Sequence, residues 1–225
     1  MKKVQMGLIG AGGWGRHHAK GYRDAPNVEL VAVADVDKSR AESLAADFGV
    51  AKAYGTVKEL LADKNVEAVS IVIPNKFHAE TAIQALEAGK PVMLDKPFAM
   101  NTAEAEKVLE TARRTGQLFM MGMNQRFNAD VQSVKPLIDR GELGEVYHAK
   151  AHWLRRSGIP ARSSWFGNKE LSGGGPMIDI GVHLLDLCLY LMDNFEPSTV
   201  SASIYSKLGS RMMAMKQEQS GVAPQ

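Results

Sequence analysis

The run Gly10-Ala11-Gly12-Gly13-Trp14-Gly15 has the spacing G-x-G-x-x-G and lies between the apolar segment Val4 to Ile9 and a helix-like stretch. This arrangement suits a dinucleotide. Gly10 permits a tight turn, Gly12 lets the backbone approach a pyrophosphate, and Gly15 allows close helix packing, while Gly13 and Trp14 complete a loop whose N–H groups face phosphate. Asp35 follows twenty residues after Gly15, at the end of the next apolar segment, where a carboxylate accepts hydrogen bonds from the adenosine ribose hydroxyls. The same charge repels a 2′-phosphate, so NAD is expected over NADP, and Arg40 is the nearby residue able to complicate that choice.

Two further groups have types suited to proton chemistry. Lys96, in Asp95-Lys96-Pro97, is a cation able to hold a substrate hydroxyl and stabilise the alkoxide that forms as hydride leaves. Asp179 and His183 are four residues apart, so on an α-helix they share one face, and a carboxylate there would orient the imidazole as a general acid/base. Either Lys96 or His183 fits the role of proton acceptor. No Cys or His spacing resembles a zinc or iron site, so no metal is expected.

These residues need a scaffold that places them at one rim. Short β-branched runs at Val4 to Ile9, Val28 to Ala34, Val66 to Ile73, Pro91 to Leu94 and Leu118 to Gly122 read as strands. Helix-like stretches alternate with them at Gly15 to Asp24, Lys38 to Phe48, Val57 to Ala62, Ala79 to Ala88 and Thr102 to Thr115. Alternation of this kind predicts an α/β, doubly wound Rossmann domain over 1–122, with ligands outside the carboxyl ends of its strands. Pro74-Asn75, Asp95-Lys96-Pro97 and Asn124-Gln125-Arg126 all fall at such ends. Beyond them, helices at Phe127 to Arg140 and Ile178 to Met192, strands at Glu145 to Leu154 and Ser198 to Ser206, and a loop from Arg155 to Pro176 predict a second, α+β domain over 123–225. The segment Arg211 to Gln225 lacks a clear period and reads as a frayed tail. His17 and His18 read as helix-surface residues.

Composition narrows the function classes. Of 225 residues 45% are hydrophobic, enough for a core without disulfides, and the formal net charge is +2, far from the basic excess of a nucleic-acid binder. The single cysteine, Cys188, lies in an apolar run and excludes an intrachain disulfide; a reducing, cytoplasmic setting fits. The N-terminal apolar run breaks at the glycine loop before a signal peptide develops, and Ile178 to Met192 is shorter than a membrane span and carries Asp179, His183 and Asp186. Neither nucleic acid nor membrane is an expected partner.

Taken together, the glycine loop, Asp35, Pro74-Asn75 through His78, Asp95-Lys96-Pro97, and Gly173-Gly174-Gly175 through Asp179 and His183 resemble the Gfo/Idh/MocA family of oxidoreductases over roughly Lys3 to Ser206. The resemblance implies hydride transfer between nicotinamide and a secondary alcohol of a sugar, inositol or related polyol, with Lys96, Asp179 and His183 as the catalytic set. It further implies that Pro74, Asn75, His78, Asp95 and Lys96 border the cofactor and that Pro97 follows a cis peptide. Asn124, Arg126 and Trp165 are expected beside the substrate. Asp95 departs from the family's glutamate by one methylene. Family members continue into a mostly antiparallel sheet that builds a homo-oligomer interface, so the expectation is a fragment or truncated product. Two rival readings are an enzyme that uses NAD transiently to cleave or epimerise a sugar, and a non-catalytic dinucleotide or sugar binder.

Overall fold

The computed structural model describes residues 2–156 and 164–205. Met1–Met192 form one compact unit and Asp193–Gln225 a second. In the second unit the described residues, 193–205, contain neither helix nor strand.

The first unit is built on a six-stranded parallel sheet, formed by β1 (Val4–Ile9), β2 (Val28–Ala34), β3 (Lys52–Tyr54), β4 (Ala68–Ile71), β5 (Val92–Asp95) and β6 (Phe119–Gly122). Its strand order is β3-β2-β1-β4-β5-β6, and every pairing is parallel. The connections are α1 (Gly13–Asp24), α2 (Lys38–Phe48), α3 (Val57–Ala62), α4 (His78–Glu87) and α5 (Thr102–Thr115). This is the Rossmann-like α/β architecture expected for the N-terminal half.

Alternation along the buried strands divides the core between the two faces. Leu8, Val33 and Val72 pack with Ala19 of α1 and Ala41 and Leu44 of α2. On the other face Ile9, Ala32, Ala34, Val69, Ile71 and Leu94 pack with Leu60, Ala82, Leu86 and Val108 of α3, α4 and α5. Local signals set the helix starts: Asp37 accepts from Ser39 N–H, Thr56 and Glu59 form a reciprocal capping box, and Asn101 accepts from Glu104 N–H. The ends of α2 and α5 are closed by Gly49 and Gly116 in the left-handed conformation.

Several expectations need correction. The strand β3 is three residues long, too short to leave a period, and owes its existence to pairing with Ala32–Ala34. His18 turns inward instead of lying on the surface, with Nδ1 3.0 Å from Ser70 Oγ, while His17 stays exposed beside Trp14. After β6 a 3₁₀ turn at Asn124–Phe127 leads into α6 (Ala129–Asp139). Neither residues 145–154 nor the described part of Ser198 to Ser206 forms a strand, since no neighbour offers a ladder of N–H and C=O groups. The expected antiparallel sheet is therefore absent among the described residues. The Arg155-to-Pro176 segment is not all loop: it holds a 3₁₀ turn at Trp165–Gly167 and α7 (Lys169–Ser172), capped by Asn168 and by left-handed Gly173. Part of that loop, 157–163, and the tail Arg211 to Gln225 lie outside the described residues.

The expected helix over Ile178 to Met192 forms in two parts, a π-helical turn at Met177–Gly181 followed by α8 (Val182–Met192). By length and mean hydropathy, 1.4 in its most apolar window, the run Lys169–Met192 passes the test for a membrane span. It is interrupted at Gly173, however, and two of its three acidic residues are held by cations from outside the run, Asp179 by Lys96 and Asp186 by Arg126.

Candidate active site

At the sheet's switch point β1 and β4 are neighbours whose connections leave in opposite directions, which opens a crevice at their carboxyl ends. The glycine loop occupies this point. Gly10 has φ +106°, and a Cβ there would stand 2.1 Å from the Val72 carbonyl oxygen; a Cβ at Gly15 would stand 2.1 Å from the Gly10 carbonyl oxygen. Both positions exclude a side chain for internal reasons. At Gly12 and Gly13, by contrast, a Cβ would meet nothing within 4 Å, so there the bare backbone leaves open space. That space belongs to a cleft of about 410 Å³ lined by Ala11, Gly12, Gly13, Arg16, Ser39, Arg40 and Ser43. Phosphate in this position would meet the N-terminus of α1, so the residues present fit a dinucleotide.

Asp35 sits beside the loop with both oxygens engaged. Oδ2 accepts from Ala11 N–H at 2.8 Å and Oδ1 from Asp37 N–H at 2.9 Å. The carboxylate thus ties the end of β2 to the glycine turn and keeps its negative charge at the cleft. Arg40 lines the cleft but is paired with Asp37 at 3.2 Å. Arg16, Ser39 and Ser43 were missed as cleft residues; the helical spacing of Ser39 and Ser43 was the available signal.

At the ends of β4 and β5 the expected residues converge. Lys96 Nζ donates to the Asp179 carbonyl at 2.8 Å and to Asp179 Oδ1 at 2.9 Å. The Lys96–Pro97 peptide is cis, as the resemblance implied. Asn75, 4% exposed, donates from Nδ2 to the Ser172 carbonyl at 2.8 Å, linking the turn after β4 to α7. Pro74 precedes that 3₁₀ turn, and His78 lies beneath it at 1% exposure.

The expected hydrogen bond between Asp179 and His183 does not form. Two physical reasons combine: the π turn rotates the residues after it away from the line that α spacing predicts, and an ammonium is a stronger partner for a carboxylate than a neutral imidazole. His183 is 9% exposed, and its Nδ1 is buried without a hydrogen-bond partner among the described residues. Burial and the Lys96 charge push its pKa down, against a weaker upward pull from Asp179 and Asp186. The imidazole is therefore biased toward its neutral form.

The remaining expected residues differ in their setting. Arg126 pairs with Asp186 through Nε at 2.8 Å and through a second guanidinium contact, and it covers the Tyr190 ring at 5.0 Å. It clamps the turn after β6 to α8. Asn124 is exposed at the start of its turn, and Trp165 stacks on Phe166 with centroids 3.8 Å apart.

The sequence model of the oxidoreductase family GFO/IDH/MocA, described as an NAD-binding Rossmann fold, matches residues 4–123, and that of the GFO/IDH/MocA C-terminal domain matches residues 131–220. The chain belongs to the Gfo/Idh/MocA family. Within it, the chain is 38% identical over 211 residues to a D-glucoside 3-dehydrogenase of Escherichia coli, covering 92% of this chain and 59% of that protein. It is 31% identical over 191 residues to a scyllo-inositol 2-dehydrogenase (NAD(+)) of Bacillus subtilis, covering 84% and 54%. Among solved structures, an NAD-binding protein from Listeria innocua superposes with a TM-score of 0.76 at 36% identity, covering 85% of this chain and 56% of that one. The chain thus spans between half and two thirds of the length of these relatives.

Asp95, where this family member departs from the resemblance, has an altered acidity. Burial raises its carboxyl to about 6, opposed by the Lys96 main-chain N–H, 2.8 Å from Oδ1, by the Lys96 charge and by the Trp14 indole. A carboxyl whose folded pKa lies above its unfolded value favours folding below the unfolded pKa, and this contribution is lost as pH rises through about 6. Asp95→Asn keeps an acceptor for the Lys96 N–H without the charge, so it should raise the melting temperature relative to wild type at pH 8 and not at pH 4. An equal difference at both pH values in thermal melts would remove the assignment.

Proposed function

We propose that the chain binds NAD in the cleft above the glycine loop and carries the catalytic residues of a dehydrogenase acting on a secondary alcohol of a sugar, cyclitol or related polyol. The observation that carries this reading is the bidentate hold of Asp179 on Lys96 at the sheet's carboxyl rim, on the same edge as the glycine turn. NAD, when bound, supplies the hydride acceptor.

Lys96 is the residue suited to the substrate oxygen. Its side chain is 14% exposed and its ammonium is held by two Asp179 oxygens, which fixes its direction and leaves its third proton for a hydroxyl or developing alkoxide. His183, biased toward the neutral form, is the neighbouring group able to take a proton as the alcohol is oxidised. Asp179 therefore acts on Lys96, and His183 is placed by burial. Asp35 and Asp37 put negative charge where a 2′-phosphate would lie, and Arg40 is already paired with Asp37, which supports NAD over NADP. On this reading Pro74, Asn75, Asp95 and Trp14 belong to the cofactor side of the site, and Asn124 and Trp165 to its substrate side.

The same reading makes 1–122 the cofactor domain and 123–225 part of a substrate domain whose residues 145–154 become a strand once antiparallel partners flank them. A homo-oligomer built through that sheet, with no nucleic acid or membrane partner, completes it.

The test is a titration of the chain with NADH and NADPH, followed by tryptophan-to-nicotinamide energy transfer and then by a screen of pyranosides and cyclitols for NADH formation. Saturable binding tighter for NADH, with turnover on a member of the screen, is the expected result. Failure of a folded sample to bind either dinucleotide would overturn the reading.

A further inference from the structure

His78 is the first residue of α4 and, at 1% exposure, is closed off from solvent. Its ring lies between two main-chain carbonyls. Nδ1 stands 2.6 Å from the Pro97 oxygen and Nε2 2.9 Å from the Ile73 oxygen. One of these carbonyls belongs to the residue directly after Lys96, and the other precedes Pro74-Asn75. The imidazole thus bridges the two strand-end segments that form the rim of the site.

A neutral imidazole has one N–H and can donate to only one of the two carbonyls. The second proton is disfavoured here: the ring is buried, the Lys96 ammonium is close, and the ring sits at the positive end of α4. Of the two contacts, the one to Pro97 is the shorter and therefore the better candidate for the donated bond. We propose that His78 is a positioning residue for Lys96, donating from Nδ1 to the Pro97 carbonyl and so holding the Lys96-bearing segment where Asp179 can grip the ammonium. This rests on the reading of Lys96 above for its functional meaning, but not for its test.

Two measurements decide it, and neither needs turnover. Nitrogen-15 NMR of the imidazole in the wild-type chain should find Nδ1 protonated at neutral pH; a bare Nδ1 would overturn the proposal with no variant involved. Competitive acetylation read by mass spectrometry then reports on Lys96, with Lys90 as internal reference because its Nζ is held by the Asp63 and Val66 carbonyls at the opposite end of the sheet. Asparagine places an amide N–H near the Nδ1 position and glutamine places one near Nε2. His78→Gln should therefore raise Lys96 labelling relative to Lys90 by about tenfold, the effect of one lost positioning hydrogen bond. His78→Asn should stay within about twofold of wild type. Equal labelling in all three proteins would overturn the proposal. So would a rise in Lys90 labelling matching that of Lys96, which would report general loosening, or an asparagine variant as reactive as the glutamine one.

Discussion

Lys96→Met is expected to lower turnover by about a thousandfold while leaving NADH affinity within about threefold, because it removes an ammonium acting on the substrate oxygen and keeps the aliphatic stem. The geometry sharpens this expectation. Since one ammonium proton goes to the Asp179 carboxylate and a second to its main-chain carbonyl, the carboxylate works through the lysine, and Asp179→Asn should cost activity only while Lys96 is present. In a double-mutant cycle, Asp179→Asn should add almost nothing to Lys96→Met. Steady-state kinetics on the four proteins would check this. Losses that multiply would separate the two residues, and a methionine variant with more than about a tenth of wild-type turnover would remove Lys96 from the chemistry.

The second large effect concerns the glycine loop, whose glycines serve two different purposes. Gly10→Ala combines φ +106° with a Cβ 2.1 Å from the Val72 oxygen, and Gly15→Ala puts its methyl group 2.1 Å from the Gly10 oxygen. Neither neighbour can yield, because both are main chain at the centre of the sheet. Each substitution should destabilise the fold by about 3–5 kcal/mol and lower the melting temperature by roughly 10 °C. Gly12→Ala meets nothing within 4 Å, and its backbone, φ −70° and ψ −173°, suits any residue. It should melt within a few degrees of wild type yet lose most NADH affinity, because the methyl group occupies the approach to the pyrophosphate. Thermal melts paired with NADH titrations separate the two classes. An alanine at Gly12 that binds NADH normally would move the phosphate site away from this loop.

Residues close in sequence carried most of what was legible. The Asp37, Thr56-to-Glu59 and Asn101-to-Glu104 caps and the terminal glycines act within a few residues of themselves, so α2, α3 and α5 appear where pattern and punctuation place them. For the same reason α7 could have been found from Asn168 and Gly173. The extended pattern of residues 145–154 misled because alternation reports the faces of a strand and not whether a neighbour exists to pair with it. His18 misled in a related way: its inward turn depends on Ser70, on a strand 52 residues distant.

Recognition of a family and of the residues able to bind NAD and move a proton followed from residue types at short, regular spacings. The partners of those residues did not. Asp179 lies 83 residues from Lys96, Ser172 lies 97 from Asn75, and Asp186 lies 60 from Arg126, and no local preference relates such positions. Which cation a carboxylate holds depends on where the crossovers deliver each segment and on a π turn that rotates Asp179 relative to His183. Residue chemistry along the chain was therefore enough to name the groups. Only the tertiary structure decided that Asp179 holds Lys96, that His183 is buried beside the Trp153 ring with no hydrogen bond to Nδ1 among the described residues, and that His78 faces two carbonyls, because each depends on groups that meet only after the sheet has formed.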